Sequence, residues 1–313
     1  MGATIAVSAL GFCLYFAAAV AGDLAQVASA LAHLHYRDLA LIFGLSLLNY
    51  ALRFGRWQWY LTTMGHALRP ATSLLNYLAG FAFTMTPGKA GEAVRSVYLK
   101  SHGVSYKESL AALLSERLLD LLAIVLLACV AVIWYDRYRW IVLFTGVLVL
   151  LGIWWITHPT FLEALRRLSA CRRFETLKWL PHKLRVLFET SRALLQFPAI
   201  YGGLLLGLVA WGAEGMGLYY SVAGMGLAVS ASQAVGIYAV SILAGVLSFL
   251  LGGLGSTETV MGLLLLLSGV DPAHAVAATL LCRIATLWFA IAIGFVAIVV
   301  LELKAPRKRV TIQ

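Results

Sequence analysis

The fold of this 313-residue chain is decided by two short glycine-rich segments that interrupt apolar sequence, TPGKAGE at residues 86–92 and GGLGSTE at residues 252–258. The apolar arms on either side are too short to cross a membrane twice, since a spanning helix needs about 20 apolar residues. Each segment therefore predicts the tip of a re-entrant hairpin, over about 71–102 and about 233–269. The predicted tip residues are Pro87, Gly88 and Gly91 in the first hairpin and Gly252, Gly253 and Gly255 in the second.

The composition around these segments excludes a water-soluble protein. Hydrophobic residues make up 61% of the chain and charged residues 12%, with a mean hydropathy of +0.87. A soluble domain has about 25% charged residues, and the same figures exclude a disordered chain or a disulfide scaffold. The sequence predicts an all-α polytopic membrane protein with about six full spans, at about 3–21, 39–61, 118–134, 140–156, 199–222 and 275–301.

The basic residues predict how the chain is oriented. The formal net charge is +10, and Lys and Arg are concentrated in the polar stretch 157–198 and in the C-terminal tail. Loops rich in Lys and Arg stay in the cytoplasm, so we expect both segments and the N-terminus on the cytoplasmic side of a bacterial inner membrane. The linker 157–198 predicts amphipathic helices that either contact anionic lipid or simply obey the charge rule. No basic element stands clear of the membrane, so no nucleic acid partner is expected.

The two hairpins belong to an internal repeat with an offset of 166 residues. Over the 35 positions that begin at the first tip there are 10 identities, among them Glu92 with Glu258 and Arg117 with Arg283. Charged residues are rare in this chain, so these two coincidences favour a duplication. We predict a single membrane domain over 1–313, with repeats over 39–134 and 199–301.

The topology also predicts that the two repeats are inverted, because the first hairpin enters from the cytoplasmic side and the second from the outside. In each copy a capping residue follows the hairpin, Ser105 or Asp271 with Pro272, and begins a long helix. Inverted repeats with broken helices are typical of secondary transporters, in which irregular backbone lines a polar cavity. Alternating access between two half-structures follows from this architecture.

Several charged residues fall inside the predicted membrane segments, where each costs at least ~2.5–3.5 kcal/mol and therefore indicates an interior, functional position. Two interpretations of the repeated Glu and Arg residues stay open. The pairs either hold each hairpin tip to the long helix, or the two Arg residues receive an anionic group such as a lipid phosphate. The intramembrane residues are Glu92, Glu116, Arg117, Asp120, Glu214, Glu258 and Arg283.

Glu214 has no acidic counterpart at the repeat offset, because Leu48 occupies that position. We expect it either to pair with Arg53 or to bind a proton or a cationic headgroup. Arg53 and Arg56 are interpreted either as interfacial anchors near the inner end of their span or as gate residues.

Sequence signatures of catalysis are missing. The chain has no His-Glu-x-x-His zinc motif and no Gly-x-Ser-x-Gly nucleophile elbow. The seven histidines form no cluster and the four cysteines show no paired spacing. We therefore expect no metal, no cofactor and no enzymatic activity.

Four strings in order resemble one known family: RFGRW at 53–57, PGKAGEAVR at 87–95, ERLLD at 116–120 and GGLGSTE at 252–258. They are similar to the transmembrane region of lysylphosphatidylglycerol synthase/flippase and to stand-alone membrane proteins that share only this region. The resemblance covers nearly the whole chain and implies a lipid translocation domain. It also implies that the cytosolic aminoacyl-transferase domain is absent, so lysyl transfer is not expected and the lipid stays open.

The sequence thus predicts a lipid flippase that moves an anionic or modified lipid by alternating access. The alternatives are a membrane enzyme and a non-transporting subunit of a lipid or glycolipid synthesis complex. The expected partners are membrane lipids, with a homo-oligomer or a lipid-synthesis enzyme as further possibilities. The candidate transport residues are Glu92, Arg95, Arg117, Asp120, Glu258, Arg283, Glu214, Arg53 and Arg56.

Overall fold

The structure is a computed structural model that describes residues 24–32, 34–132, 139–161, 163–164 and 179–304. Over these residues every regular element is a helix, and no strand occurs. The prediction of an all-α membrane protein is confirmed. Three helices are long and apolar enough to cross a membrane, namely Tyr36–Thr63, Ala199–Gly224 and Pro272–Lys304.

The other predicted spans have different outcomes. The apolar run 140–156 forms a shorter apolar helix, and residues 118–132 of the predicted span 118–134 belong to a long helix, Tyr106–Val132. That long helix also carries the charged side chains of Glu116 and Asp120. The predicted span 3–21 lies outside the described residues.

Twelve α-helices are numbered here in chain order over the described residues. They are α1 Leu24–Ala32, α2 Tyr36–Thr63, α3 Pro70–Ala79, α4 Arg95–Lys100, α5 Tyr106–Val132, α6 Arg139–Thr157, α7 Trp179–Leu194, α8 Ala199–Gly224, α9 Ala231–Leu247, α10 Ser256–Leu267, α11 Pro272–Arg283 and α12 Phe289–Lys304. Short 3₁₀ segments lie between the arms of the hairpins, at Gly80–Phe83, Pro87–Val94 and Leu251–Gly253. One π-helical turn, Ile284–Trp288, joins α11 to α12.

The order of elements in the first half recurs in the second. A long helix (α2 or α8) is followed by a broken hairpin (α3–α4 or α9–α10) and then by a second long helix (α5 or α11–α12). The helices pack across the halves: α3 lies against α12, α9 lies against α5, and α2 packs along α8. Each half therefore supplies the wall that buries the other half's hairpin.

Two glycines allow these exchanged contacts to be close. A side chain on Gly294 of α12 would lie 2.7 Å from the carbonyl carbon of Phe81 and closer still to the amide of Ala82. A side chain on Gly236 of α9 would lie 2.9 Å from the backbone of Ala131 in α5. Backbone atoms cannot yield as a flexible side chain can, so any larger residue at these two positions would separate the helices.

The tip of the second hairpin needs glycine because its backbone lies in the left-handed region. Gly252, Gly253 and Gly255 have φ of 60°, 69° and 84°, which residues with a Cβ adopt only at a cost. Helix α10 begins immediately afterwards, and the carboxylate of Glu258 accepts a hydrogen bond from the Gly255 amide at 2.7 Å. This contact satisfies one of the free N–H groups at the start of the helix.

The tip of the first hairpin has a different conformation. Residues Pro87–Val94 form a 3₁₀ segment that includes the predicted tip residues Pro87, Gly88 and Gly91. The hydroxyl oxygen of Thr86 accepts a hydrogen bond from the amide of Gly91 at 2.6 Å, which closes the turn. The two tips lie against each other.

The predicted caps of the second long helix in each half are confirmed. Asp271 accepts a hydrogen bond from the amide of His274, and Pro272 is the first residue of α11. In the first half Ser105 accepts from the amide of Glu108, and the Glu108 carboxylate accepts in return from the Ser105 amide at 2.9 Å. These reciprocal bonds are a capping box, which begins α5.

The repeat has two registers. After the tips the halves keep the offset of 166, but before the tips the structure gives 161: α2 and α8 end at the C-caps Met64 and Met225, and α3 and α9 begin after the N-caps Arg69 and Ser230. The second copy therefore has five more residues between its first arm and its tip. At this offset the counterpart of Glu214 is Arg53, not Leu48 as the single offset of 166 predicted.

The described part of the linker 157–198 packs on protein. Helix α7 lies against α5 and α6, and Phe188 contacts a buried cluster that contains Leu119 and Leu195. The Ser191 hydroxyl also donates a hydrogen bond to the carbonyl of Ala111. Part of the predicted amphipathic segment, 165–178, lies outside the described residues.

Candidate functional site

A cavity of about 190 Å³ lies where the two halves meet. Its walls come from α2, α5, α8, α9, both hairpin tips and the helix α11–α12. Most lining residues form pairs at the two repeat offsets, so the cavity lies on the internal symmetry of the chain. These pairs are Tyr50 with Trp211, Arg53 with Glu214, Phe81 with Ile242, Arg117 with Arg283, Asp120 with Thr286, Leu121 with Leu287 and Ile124 with Ala290.

Arg117 and Glu92 form the first of two repeated ion pairs. The guanidinium of Arg117 on α5 lies 3.2 Å from the carboxylate of Glu92 at the first tip and 3.5 Å from that of Asp120. The Arg117 side chain keeps 20% of its surface exposed, whereas Glu92 and Asp120 are buried. Arg117 is thus the accessible member of this group.

Arg283 and Glu258 form the second pair at the equivalent positions. The Arg283 Nε donates to the carboxylate of Glu258 at 2.6 Å, and its Nη2 donates to the carbonyl of Gly252 at 2.9 Å. The long helix of each half therefore holds its own hairpin tip through a Glu–Arg contact. The structure brings together all four residues that the repeat predicted, although Glu258 stands behind the cavity lining.

Arg53 and Arg56 lie one turn apart on α2 and both contact Asp120. Arg53 approaches the carboxylate at 3.6 Å, and Arg56 forms a hydrogen bond with its other oxygen. Arg56 also donates to the carbonyl of Gly203 in α8 at 3.1 Å. Both arginines are buried, so the interpretation of these residues as interfacial anchors is wrong.

Arg53 additionally lies between two aromatic rings of the cavity wall. Its guanidinium carbon is 5.7 Å from the ring centre of Phe81 and 5.4 Å from that of Trp211. Cation–π contacts of this kind stabilise a guanidinium in an apolar environment. Arg53 therefore lines the cavity with its guanidinium close to two aromatic rings.

Arg95 pairs with Glu116 away from the cavity lining. The two side chains form a buried hydrogen-bonded ion pair, and the guanidinium lies 3.8 Å from the ring centre of Trp57 and 5.2 Å from that of Tyr77. This arrangement ties α4, α5, α2 and α3 together. Arg95 and Arg56 stand behind the cavity wall, whereas the other predicted arginines line it.

Glu214 lines the cavity from α8 and accepts a hydrogen bond from the hydroxyl of Tyr238 on α9. Nearby, the hydroxyl of Tyr50 on α2 donates to the carbonyl of Thr286 at 2.8 Å, which joins α2 to the π-helical turn. Sequence analysis did not find Tyr50, Trp211 or Tyr238. At the offset of 161 that the folded helices reveal, Tyr50 pairs with Trp211, and Tyr238 pairs with an identical residue, Tyr77.

The charges that line the cavity balance. Three arginines, Arg53, Arg117 and Arg283, face three carboxylates, Glu92, Asp120 and Glu214. In a medium of low dielectric constant a buried charge without a partner is costly, whereas a balanced set is tolerated. An anionic ligand would therefore have to displace a carboxylate from an arginine as it enters. Among the described residues, no three His, Cys, Asp or Glu side chains are grouped as a metal site requires.

Comparison with known proteins gives a consistent result. The family model of the lysylphosphatidylglycerol synthase TM region matches residues 3–294. A UPF0104 membrane protein of Pyrococcus horikoshii is 25% identical over 244 residues, which are 70% of this chain and 73% of the relative. A UPF0104 membrane protein of Methanothermobacter thermautotrophicus is 29% identical over 237 residues, which are 68% of this chain and 69% of the relative. The names of both relatives state a membrane protein and no activity.

Proposed function

Because this chain belongs to the family of the lysylphosphatidylglycerol synthase TM region, we propose that it moves a lipid with an anionic headgroup between the two leaflets of the membrane. The observation that carries this proposal is the cavity at the junction of the halves, with an arginine from each half at the equivalent position. Two guanidinium groups that line one cavity present the donors that a phosphate accepts.

In this proposal the carboxylates act as internal substitutes for the headgroup. Glu92 and Glu258 neutralise Arg117 and Arg283, at 3.2 Å and 2.6 Å. A lipid phosphate that enters takes the place of a carboxylate on an arginine, and the hairpin tip that carries the carboxylate is released. Binding of the headgroup is thereby coupled to movement of the tip.

Alternating access would follow from the two-part architecture. Each hairpin is packed on the long helix of the opposite half, so movement of one half against the other opens one side of the cavity and closes the other. We further propose a cytoplasmic membrane location with both termini inside, supported by the Lys and Arg content of 157–198 and of the tail.

Transbilayer movement of lipid in proteoliposomes tests the proposal. The probe is phosphatidylglycerol with a fluorophore on one acyl chain, and quenching from outside reports its exchange between leaflets. Arg117→Gln with Arg283→Gln should slow exchange at least about tenfold, which corresponds to a loss of ~1.4 kcal/mol. Arg185→Gln, which removes a half-buried arginine of α7 that does not line the cavity, is the matched control and should leave exchange unchanged.

Two results would contradict the mechanism. Equal exchange by the wild-type protein and the double variant would exclude the arginines from transport, provided that both proteins unfold at the same temperature. A chemically altered lipid recovered after incubation would instead support a membrane enzyme.

A further inference from the structure

The most exposed residues that line the cavity are apolar, and they lie at one edge of it. Of all the residues that line it, the exposed ones are Val246, Phe249 and Leu250, at the end of α9 and in the loop that follows. The charged lining residues are buried or, for Arg117, largely so. A pocket for a water-soluble ligand has the opposite arrangement, because its polar groups face the solvent at the entrance.

Phe249 at this entrance has an unfavourable backbone conformation. Its φ of 53° lies in the left-handed region, where a bulky residue is an outlier and a glycine is ordinary. The side chain is nevertheless 76% exposed, so packing does not account for its position. Strain that is retained without a packing reason indicates a functional site.

The opposite wall of the entrance is also apolar. Leu121 and Ile124 of α5 and Ile242 of α9 line the cavity beside the charged groups. Farther along the same two helices, the close approach of Gly236 to Ala131 closes the space between α5 and α9. The apolar passage is therefore bounded by these two helices and leads from the charged interior to the outside of the helix bundle.

We propose that this passage, formed by Leu121, Ile124, Ile242, Val246, Phe249 and Leu250, is a binding site for the hydrocarbon chain of a lipid whose headgroup occupies the charged interior. The charged interior and the apolar exit belong to one continuous cavity, and this identifies the occupant. Only an amphiphile has a charged end for the buried arginines and an apolar tail for an exposed apolar exit. The exit lies at the end of an apolar helix, α9. This inference rests on the proposed function, because it takes the charged interior as the headgroup site.

Photolabelling tests the site without requiring transport. The full chain is placed in phosphatidylcholine vesicles that contain trace phosphatidylglycerol with a diazirine on one acyl chain, and labelled residues are mapped by mass spectrometry. We expect labelling of Val246 and Phe249 to exceed that of Leu263 on α10, which is also exposed, by about tenfold, equivalent to a tenfold difference in occupancy. Equal labelling of all exposed apolar residues would overturn the proposal.

A second probe separates a lipid tail from any hydrocarbon. A diazirine-bearing alkane has no headgroup, so it should label Val246 and Leu263 to the same extent if the headgroup anchors the tail in the passage. Preferential labelling of Val246 by the alkane would show a purely apolar groove and would also overturn the proposal.

Substitutions then connect the site to lipid movement. Val246→Trp fills the passage and should slow leaflet exchange about tenfold. This ratio corresponds to an increase of ~1.4 kcal/mol in the activation free energy of exchange. The matched control is Val299→Trp on α12, since Val299 is exposed and does not line the cavity; it should exchange lipid at the wild-type rate. Phe249→Ala and its control Phe144→Ala, on the exposed side of α6, form a second pair without added bulk.

Two combinations of results separate the hydrocarbon-chain site from the proposed function. If the wild-type protein exchanges lipid and Val246→Trp does so equally fast, the passage is excluded and the function stands. If the wild-type protein exchanges no lipid but Val246 and Phe249 are labelled preferentially, the chain site stands and transport is excluded.

Discussion

Asp120 is a single buried carboxylate that faces three guanidinium groups, from Arg53, Arg56 and Arg117. Loss of one arginine would leave two partners for the carboxylate, whereas loss of the carboxylate would leave a cluster of like charges. Removing one partner from a buried ion pair is strongly destabilising because the other charge stays desolvated. We therefore expect Asp120 to contribute more to the stability of the fold than its neighbours on α5.

Asp120→Asn tests this role. The amide keeps the size of the side chain but not its charge, so we expect the free energy of unfolding to fall by about 3–5 kcal/mol. Thermal unfolding in detergent, followed by circular dichroism, measures the change. Glu189→Gln is the control: its carboxylate is exposed and lies 3.6 Å from Arg185 on the same helix, so the change should stay within about 0.5 kcal/mol. Equal effects of the two substitutions would contradict the assignment.

The same residues show what sequence can predict at this scale. Glu92, Glu258, Arg117 and Arg283 were found because charged residues are rare in an apolar chain and these four recur at one offset. The contacts of Arg53 with Asp120 and of Arg95 with Glu116 could not be found in that way. They join different helices, and no spacing within a sequence encodes which helices become neighbours.

At the scale of elements, Gly294 decides how closely α12 approaches the first hairpin. A methyl group at this position would overlap the backbone of Phe81 and Ala82. Because these atoms belong to a 3₁₀ turn inside the bundle, the overlap is relieved only by separating the elements, which costs packing on both sides.

Gly294→Ala should therefore lower the free energy of unfolding by about 1–3 kcal/mol, the usual cost of overpacking. The control is Gly152→Ala on α6, where nothing lies within 4 Å of an added Cβ. That substitution should stabilise the protein by up to about 1 kcal/mol, since alanine is the better helix former. Thermal melts of the two variants in the same detergent give the comparison, and a melting temperature of Gly294→Ala equal to that of the wild type would refute the close contact.

The sequence predicted the boundaries of elements where a capping residue, a proline or a glycine-rich break marks them. Asp271 with Pro272 marks the start of α11, and the hairpins predicted over 71–102 and 233–269 correspond to α3–α4 and α9–α10. The change of offset from 166 to 161 was not found, because apolar residues substitute freely for one another and five added residues leave no gap in a single chain. Only the paired caps of the folded helices reveal it.

At the scale of the whole molecule, the contact between the two hairpin tips is the place where relative movement of the halves can be stopped. A Cβ on Gly252 would lie 3.6 Å from the Cα of Met85, so the Cβ of a cysteine at position 85 can approach the Cβ–Cβ separation of about 3.5–4.5 Å that a disulfide needs. Cysteines at both positions should therefore form a disulfide across the tips.

The double variant Met85→Cys with Gly252→Cys, in a chain whose four native cysteines are replaced, tests whether the tips separate. Oxidation should abolish leaflet exchange and a thiol reductant should restore it. Each single variant, treated with the same oxidant, accounts for the effect of the substitution itself. Exchange that continues at the wild-type rate after cross-linking would show that the tips stay together during transport.

The five additional residues of the second hairpin also bear on the relative populations of the inward-open and outward-open forms that the proposed function requires. In a transporter built from two identical inverted halves, a two-fold axis would relate the inward-open form to the outward-open form. The two forms would then have equal free energy. Here the halves differ in the length of chain between the first arm and the tip, and in the ion pairs around Asp120, so the two forms would not be equivalent. A difference of only ~1.4 kcal/mol favours one of them tenfold. If the protein works by the proposed alternating access, we expect the unequal hairpins to favour one of the two forms.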